Sequence, residues 1–398
     1  MASTPKHRVA ITALGIVSPL GIGCAETLQS LQTGRDCVSP VTAFDVSQTR
    51  CKTAGQVDTT ALKALATAKE KRLHPASHMM ITATREVQAT DPGFVPELLV
   101  IGTTSGGMSY GEAFFRSLPT QKHDRRRANW LANYAPQKPV VDACTAAGFT
   151  VPAQIIANAC ASGSNAVGHA YTLIRSGQKR RVLSGGYDAI SEMVFCGFDC
   201  LQASTPEKIR PFDKDRTGLV LGEGAALIAL ENWDDATARG ATILAELIGY
   251  GIATDNYHLT QPNPSGIGPL LAMQRALASA GITADAVDYI NAHGTATVFN
   301  DATEGLAISQ LCPDVPVSST KSMMGHSLGA AGAIEAVFSV LALQHQFLPP
   351  NINHREADPA WTFPVVANEA RAAKVNCVLS NSFGFGGTNA TVALKKNI

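Results

Sequence analysis

Short apolar runs rich in β-branched residues recur along the chain, separated by stretches of small residues. Residues 9–14, 98–102, 155–159, 181–184, 225–230, 289–292, 315–319 and 375–379 read as strands. Their apolarity is continuous rather than alternating, which marks strands covered on both faces. Between them, residues 161–176 and 268–280 read as helices that stop at Gly177 and Gly281, and residues 330–343 as a helix entered through glycines. Strand and helix in alternation predict an α/β protein with buried sheets. The turn-rich stretch 256–266, with Pro262, Pro264, Ser265 and Gly266, divides the chain into halves 1–255 and 256–398. Each half carries a reactive-looking residue just past a buried strand: Cys160 in the first, His293 in the second.

At 398 residues and 45% hydrophobic content the chain can bury a large core, which excludes disorder as its main state. Thirty-two basic residues balance thirty-two acidic ones, so no global field favours nucleic acid or an anionic membrane. Nine scattered cysteines, without paired spacing, fit a reducing cytosol better than a disulfide framework. Cys196 and Cys200 lack a second pair, so neither a structural zinc nor any other metal or cofactor is expected. Lys6, His7 and Arg8 before an apolar run imitate an export leader, but Ser18-Pro19-Leu20-Gly21 interrupts it, and a first strand is the better reading. No segment reaches the roughly 18 uninterrupted apolar residues of a membrane span; 329–343 comes nearest and carries Glu335.

Cys160 lies at a strand-to-helix junction, where helix N–H groups favour a thiolate or an oxyanion, and Ala161-Ser162-Gly163-Ser164 keeps its surroundings small. His293, in His293-Gly294-Thr295-Ala296-Thr297, and His326, five residues after Lys321, both sit in turns crowded by Gly, Ser and Thr, where backbone can approach a ligand. Gly325-His326-Ser327-Leu328-Gly329 also satisfies the serine-hydrolase elbow, but only Glu335 follows as an acid before His345 and His354, and we treat the match as coincidental. No phosphate-binding fingerprint is present, and the glycines of 382–389 suggest a turned or mobile loop.

In combination these motifs resemble the β-ketoacyl-acyl carrier protein synthases, the elongating condensing enzymes of synthase I and II type. The resemblance runs nearly end to end: 9–21, Asn158 to Gly163, Arg210-Pro211-Phe212-Asp213, Gly222-Glu223-Gly224-Ala225, Asn291 to Thr297, Asp301 with Glu304, 321–332 and 381–389. It implies a thiolase-like fold, a duplicated α-β-α-β-α sandwich of five layers, normally dimeric. It implies an acyltransferase that joins an acyl thioester to malonyl carrier protein by decarboxylative Claisen condensation. The acyl- and malonyl-loaded carrier proteins would be its partners.

By the same resemblance Cys160 is the nucleophile, and the N–H groups of Cys160 and Phe385 form the oxyanion hole. His293 and His326 would stabilise the enolate as neutral donors, with Lys321 and Glu335 as the ion pair that sets the local field. Thr295 and Thr297 would meet the carrier's pantetheine arm. Phe383, Phe385 and Ser105 would line the acyl pocket, Phe385 as its gate and Ser105 where relatives carry an aliphatic residue. The basic groups Lys69, Lys71 and Arg72, Arg125 to Arg127, and Lys208 with Arg210 are candidates for docking an acidic carrier, with Lys69, Arg72, Arg126 and Arg210 the residues named for it.

The segment 112–139, with its arginine run, departs from the family pattern where the family forms its dimer. That departure keeps a second reading open: a polyketide or polyene ketosynthase paired with a chain-length-factor subunit in place of a homodimer. A thiolase would supply a further cysteine in 381–389, which has none, and a non-catalytic subunit would lack Cys160.

Overall fold

The computed structural model describes residues 6–120 and 125–397. Besides short two- and three-residue strands at its periphery, its large sheet is built from β1 (Val9–Ser18), β2 (Leu98–Gly102), β3 (Ala153–Ile156), β4 (Arg181–Asp188), β5 (Gly224–Asn232), β6 (Ala245–Thr254), β7 (Tyr289–Asn291), β8 (Val317–Ser318), β9 (Cys377–Gly384) and β10 (Thr388–Lys396). They join in the order β8-β7-β9-β10-β6-β1-β5-β4-β2-β3. Written outward from the middle, the two flanks repeat each other. In each, the first strand of the half pairs antiparallel with the fifth, the fifth antiparallel with the fourth, the fourth parallel with the second, and the second parallel with the third. The flanks meet where Val9, Ala10 and Ile11 of β1 pair with Leu247, Glu246 and Ala245 of β6.

This register places β6 with the second half over its whole length. The division expected after residue 255 therefore moves ahead of Ala245, into the loop that follows the helix Trp233–Ala238. Turn composition pointed to 256–266 because the stretch between Thr254 and the next helix is the longer irregular one. Within the first half, the 155–159 strand ends at Ile156 and residues 158–160 form the turn that carries the cysteine.

Helices α1 (Pro75–Thr90), α2 (Ser162–Arg175), α3 (Glu192–Cys200), α4 (Ile267–Ala280), α5 (Val298–Leu311) and α6 (Ala331–His345) complete the layers. Between the half-sheets lie α2 and α6, packed on each other and on strands of both; α1 covers the outer face of the first half, α4 and α5 that of the second. The result is the five-layer thiolase-like sandwich. A helix enclosed on every side must be apolar on every side, and every residue of α6 from Ala331 to Leu343 is buried. The stretch Leu328–His345 is long and apolar enough to cross a membrane by length and composition, and it is spent on this central layer.

Candidate active site

Close packing of α2 on α6 creates the site. A Cβ on Gly163 would meet the Gly329 carbonyl and the Ala333 nitrogen at 2.8 Å, and one on Gly332 would lie 2.2 Å from Ser164 Oγ. Only glycine permits that approach, and it carries the N-terminus of α2 against the loop that leads into α6. Cys160 stands just before α2, behind Ala159, whose φ of 56° is the left-handed turn that throws the sulfur inward. The Ala159 carbonyl accepts from Ser162 N at 3.1 Å and from Thr104 Oγ1 at 3.1 Å, which pins the turn.

His293 follows β7. Its N–H and that of Gly294 donate to the two oxygens of Glu304 at 2.9 and 2.8 Å, so α5 holds the histidine loop by a carboxylate. Asp301, one turn earlier, accepts from Ala296 N and Phe212 N at 3.1 and 2.8 Å. His326 is held by a backbone bridge to the 220–222 segment: its N–H donates to Val220 O at 2.7 Å and its carbonyl accepts from Gly222 N at 2.8 Å.

These loops bring Cys160, His293 and His326 together. One donor atom from each lies within 4.8 Å of the others, and all three residues are buried. The imidazole rings cross at 87° with centroids 5.2 Å apart. Both ring nitrogens of His326 and Nδ1 of His293 find no hydrogen-bond partner among the described residues. Burial, reinforced by the Lys321 ammonium, drives both imidazoles well below their ordinary pKa, so they are neutral. Burial also pushes the Cys160 thiol up to about 11, against Lys321 and the N–H groups of Phe385 and of Cys160 itself, both directed at the sulfur. Lys321 is ion-paired with Glu335, both buried, and desolvation raises the Glu335 carboxyl to about 7 against that pairing. The one acid a serine triad could have used is therefore committed to a lysine.

A cavity of about 190 Å³ opens onto the three residues and is lined by Thr295, Thr297, Phe383 and Phe385 among others. Phe383 lies 5.9 Å from the His293 ring. Phe385 stacks on Phe198 of α3, centroids 5.4 Å apart and planes at 20°. Gly386 and Gly387 beside it have φ of 79° and 73°, so the glycine-rich loop is the tight turn of the β9–β10 hairpin.

Two expectations are corrected. Ser105 does not line this cavity: its Oγ donates to Asp188 Oδ1 at 3.0 Å and to Ala189 O at 3.2 Å, and the side chain is spent on that carboxylate. Arg210 is no surface cation: it is 3% exposed and donates to Glu207 and to the Asp215 carbonyl. Lys69, Arg72 and Arg126 are exposed, and the side chain of Arg125 falls outside the described residues.

The sequence reading missed Phe198 and Asp188. Phe198 sits in a short helix where a second phenylalanine, Phe195, is core, and nothing in the pattern separates the two roles. Asp188 ends a buried strand, and an acid in so apolar a run was the available signal.

A family model described as the beta-ketoacyl synthase N-terminal domain matches residues 6–236, and its C-terminal counterpart matches residues 244–355. The chain is similar to the 3-oxoacyl-[acyl-carrier-protein] synthase 2 of Synechocystis, at 37% identity covering 100% of both chains. Among solved structures it is similar to the ishigamide ketosynthase/chain length factor, with a TM-score of 0.92 and 34% identity over 99% of this chain and 100% of that one. It is also similar to a chain from a type II acyl-carrier protein in complex with its ketosynthase, with a TM-score of 0.89 and 25% identity over 99% and 100%.

Proposed function

The chain belongs to the beta-ketoacyl synthase family, and on that premise we propose that it lengthens acyl chains by decarboxylative Claisen condensation between an acyl thioester and malonyl carrier protein. The observation that carries the reading is the convergence of one thiol and two neutral imidazoles at the end of one cavity. Cys160 sulfur attacks the thioester carbonyl of the acyl carrier. The oxyanion is met by the N–H groups of Cys160 and Phe385, the carrier thiol leaves with the proton, and the acyl group stays on sulfur. Malonyl carrier then enters past Thr295 and Thr297, and its carboxylate departs as carbon dioxide.

The electron pair released flows onto the thioester oxygen, where His293 and His326 donate hydrogen bonds. Neutral donors suit this step, since two protonated rings side by side would repel. The enolate carbon attacks the acyl-Cys160 carbonyl, the sulfur leaves as thiolate, and a carrier-bound β-ketoacyl product results. Burial keeps both rings neutral, reinforced by Lys321 in its pair with Glu335, and the same lysine opposes the burial that raises the Cys160 thiol.

The test incubates the protein with acyl and malonyl carrier proteins and reads covalent adducts and products by mass spectrometry. An acyl adduct on Cys160 that disappears in Cys160→Ala supports the assignment; an adduct that survives there refutes it. Malonyl decarboxylation should fall about 10²–10³-fold in His293→Ala and in His326→Ala.

A second reading rests on one surface. Phe115 is 73% exposed in the helix Met108–Ser117 and Leu131 56% exposed in the helix Arg125–Ala132, both residues within the segment 112–139 that departs from the family pattern. Such a face suits a partner subunit, either a second copy or a chain-length-factor relative, and native mass measurement after co-expression with neighbouring gene products separates the two. The nine cysteines are all free thiols, which supports a cytosolic protein.

A further inference from the structure

The convergence that suits carbon–carbon bond formation also fits a different ligand. Three donors of the types zinc prefers, one sulfur and two imidazole nitrogens, lie within 4.8 Å of one another. A tetrahedral centre with Zn–S near 2.3 Å and Zn–N near 2.0–2.1 Å needs its donors about 3.4–3.6 Å apart, so rotation of the side chains by roughly an ångström closes the gap. The lone pairs are available: His326 has neither ring nitrogen hydrogen-bonded among the described residues, and His293 leaves Nδ1 unpaired. The fourth position faces the cavity of about 190 Å³, which has room for a water or chloride. The Lys321 ammonium disfavours a cation here as it disfavours protonated rings; its partner Glu335 offsets that repulsion in part, and the Cys160 thiolate supplies the opposing charge.

We infer that Cys160, His293 and His326 form a binding site for a zinc-class divalent cation, and that its occupancy closes the protein to acyl groups. On binding, the Cys160 S–H bond breaks, the proton passes to solvent, and the sulfur electron pair forms the metal–sulfur bond; nothing is oxidised or reduced. One thiolate and two neutral rings select zinc, cobalt and cadmium over magnesium and calcium, which take oxygen ligands. An acyl group on Cys160 removes the thiolate, so the acyl-enzyme is protected while the resting protein is trapped. The site is an inhibitory one, distinct from any cofactor role, and it does not depend on which acyl chain the protein carries.

The test uses Co²⁺ as a spectroscopic probe on a Cys196→Ser/Cys200→Ser parent, because those two cysteines stand one helical turn apart on α3, Cys200 exposed, and would contribute their own thiolate signal. The parent should bind one cobalt with a near-ultraviolet sulfur-to-cobalt charge-transfer band and visible bands of tetrahedral intensity. Cys160→Ala should lose the charge-transfer band. His293→Ala and His326→Ala should keep it with affinity weakened at least about 10-fold. Protein acylated on Cys160 beforehand should show none of these bands. Zn²⁺ should displace the cobalt and abolish acyl transfer, with recovery on adding a chelator, while Mg²⁺ does neither.

A band that survives in Cys160→Ala, a six-coordinate spectrum, or histidine variants that bind as tightly as the parent would each overturn the inference. Because cobalt binding is read by absorbance, its failure is distinct from a failure of the condensation reading, which the acyl-adduct measurement decides. Thermal melts of each variant without metal separate lost binding from lost folding.

Discussion

Asp188 Oδ2 accepts the backbone N–H of Gly329 at 2.7 Å, three residues past His326. Its other oxygen accepts from Thr103 Oγ1, Ser105 N, Ser105 Oγ and Gly106 N at 2.8, 2.8, 3.0 and 3.1 Å, and Thr104 N reaches both oxygens. Thr104 Oγ1 in turn holds the Ala159 carbonyl beside Cys160. One buried carboxylate thus ties the turn behind the nucleophile to the loop that follows the second histidine.

Asp188 is accordingly a positioning residue, and its removal has a signature that general damage lacks. Asp188→Asn puts an amide where donors already point, so at least one buried N–H loses its acceptor at a cost of about 1–3 kcal/mol in stability. Its negative charge is also among the influences that raise the Cys160 thiol. The variant should therefore show iodoacetamide alkylation of Cys160 shifted to lower pH while condensation slows. An alkylation profile at unchanged pH would limit Asp188 to a packing role.

Lys321 and Glu335 act through charge rather than contact with substrate. Lys321→Ala leaves a buried carboxylate unpaired, which costs about 3–5 kcal/mol unless it takes up a proton. The lysine also depresses both imidazoles, after burial itself, and depresses the thiol. Without it all three pKa values rise. An acid limb in the pH profile of malonyl decarboxylation should then move upward, while burial still holds it below the ordinary histidine range, and Cys160 alkylation should need more alkaline solution. Glu335→Gln keeps the lysine charge and should leave the histidine limb low.

Much of this site was legible because its chemistry sits in short local patterns. Cys160 before a small-residue helix, and His293 and His326 in glycine-rich turns, each follow a strand the apolar runs had marked. What stayed hidden depends on packing between distant segments. Strand β6 was missed because its outer face carries Gly249 and Gly251, where a Cβ would meet the carbonyls of Ala276 and Ala272 of α4 at 2.3 and 2.1 Å. Those residues read as turn formers, yet here they let a helix lie directly on a sheet. Ser105 and Arg210 were misassigned for the opposite reason: a polar side chain shows its type in the sequence, but its partners, Asp188 and Glu207 with the Asp215 carbonyl, are set by the fold.

His74 gives the protein a weak point in acid. It is fully buried, caps α1 by accepting from Ala76 N at 3.0 Å through Nδ1, and meets Ser109 Oγ at 2.8 Å through Nε2. Burial lowers its pKa from 6.5 to about 4, with the nearby His78 adding to the effect. The folded state thus binds its proton more weakly than the unfolded chain. Its contribution is whole above pH 6.5 and is lost as pH falls toward 4, by about 1.4 kcal/mol per unit and about 3 kcal/mol in all. Urea denaturation at pH 7 and pH 5 should show about 2 kcal/mol of that loss, and His74→Asn, which can still cap the helix, should flatten it.

The cations offered for carrier docking now separate into two kinds with opposite signatures. Lys69 and Arg72 are exposed, Lys69 just before the short helical turn Glu70–Arg72 and Arg72 at its end. If an acidic carrier lands there, charge reversal by Lys69→Glu or Arg72→Glu should raise KM for the carrier several-fold, leave kcat alone, and lose its effect as salt is raised past about 0.15 M. Arg210 is enclosed, with Glu207 2.7 Å from one terminal nitrogen and the Asp215 carbonyl 2.7 Å from the same atom. Arg210→Ala removes a buried side chain and two hydrogen bonds to acceptors on exposed residues, beside the segment that leads to Phe212 and hence to Asp301. It should lower stability by about 1–3 kcal/mol with a salt-insensitive KM for the carrier. A salt-dependent rise in that KM on replacing Arg210 would return it to the surface and contradict its burial.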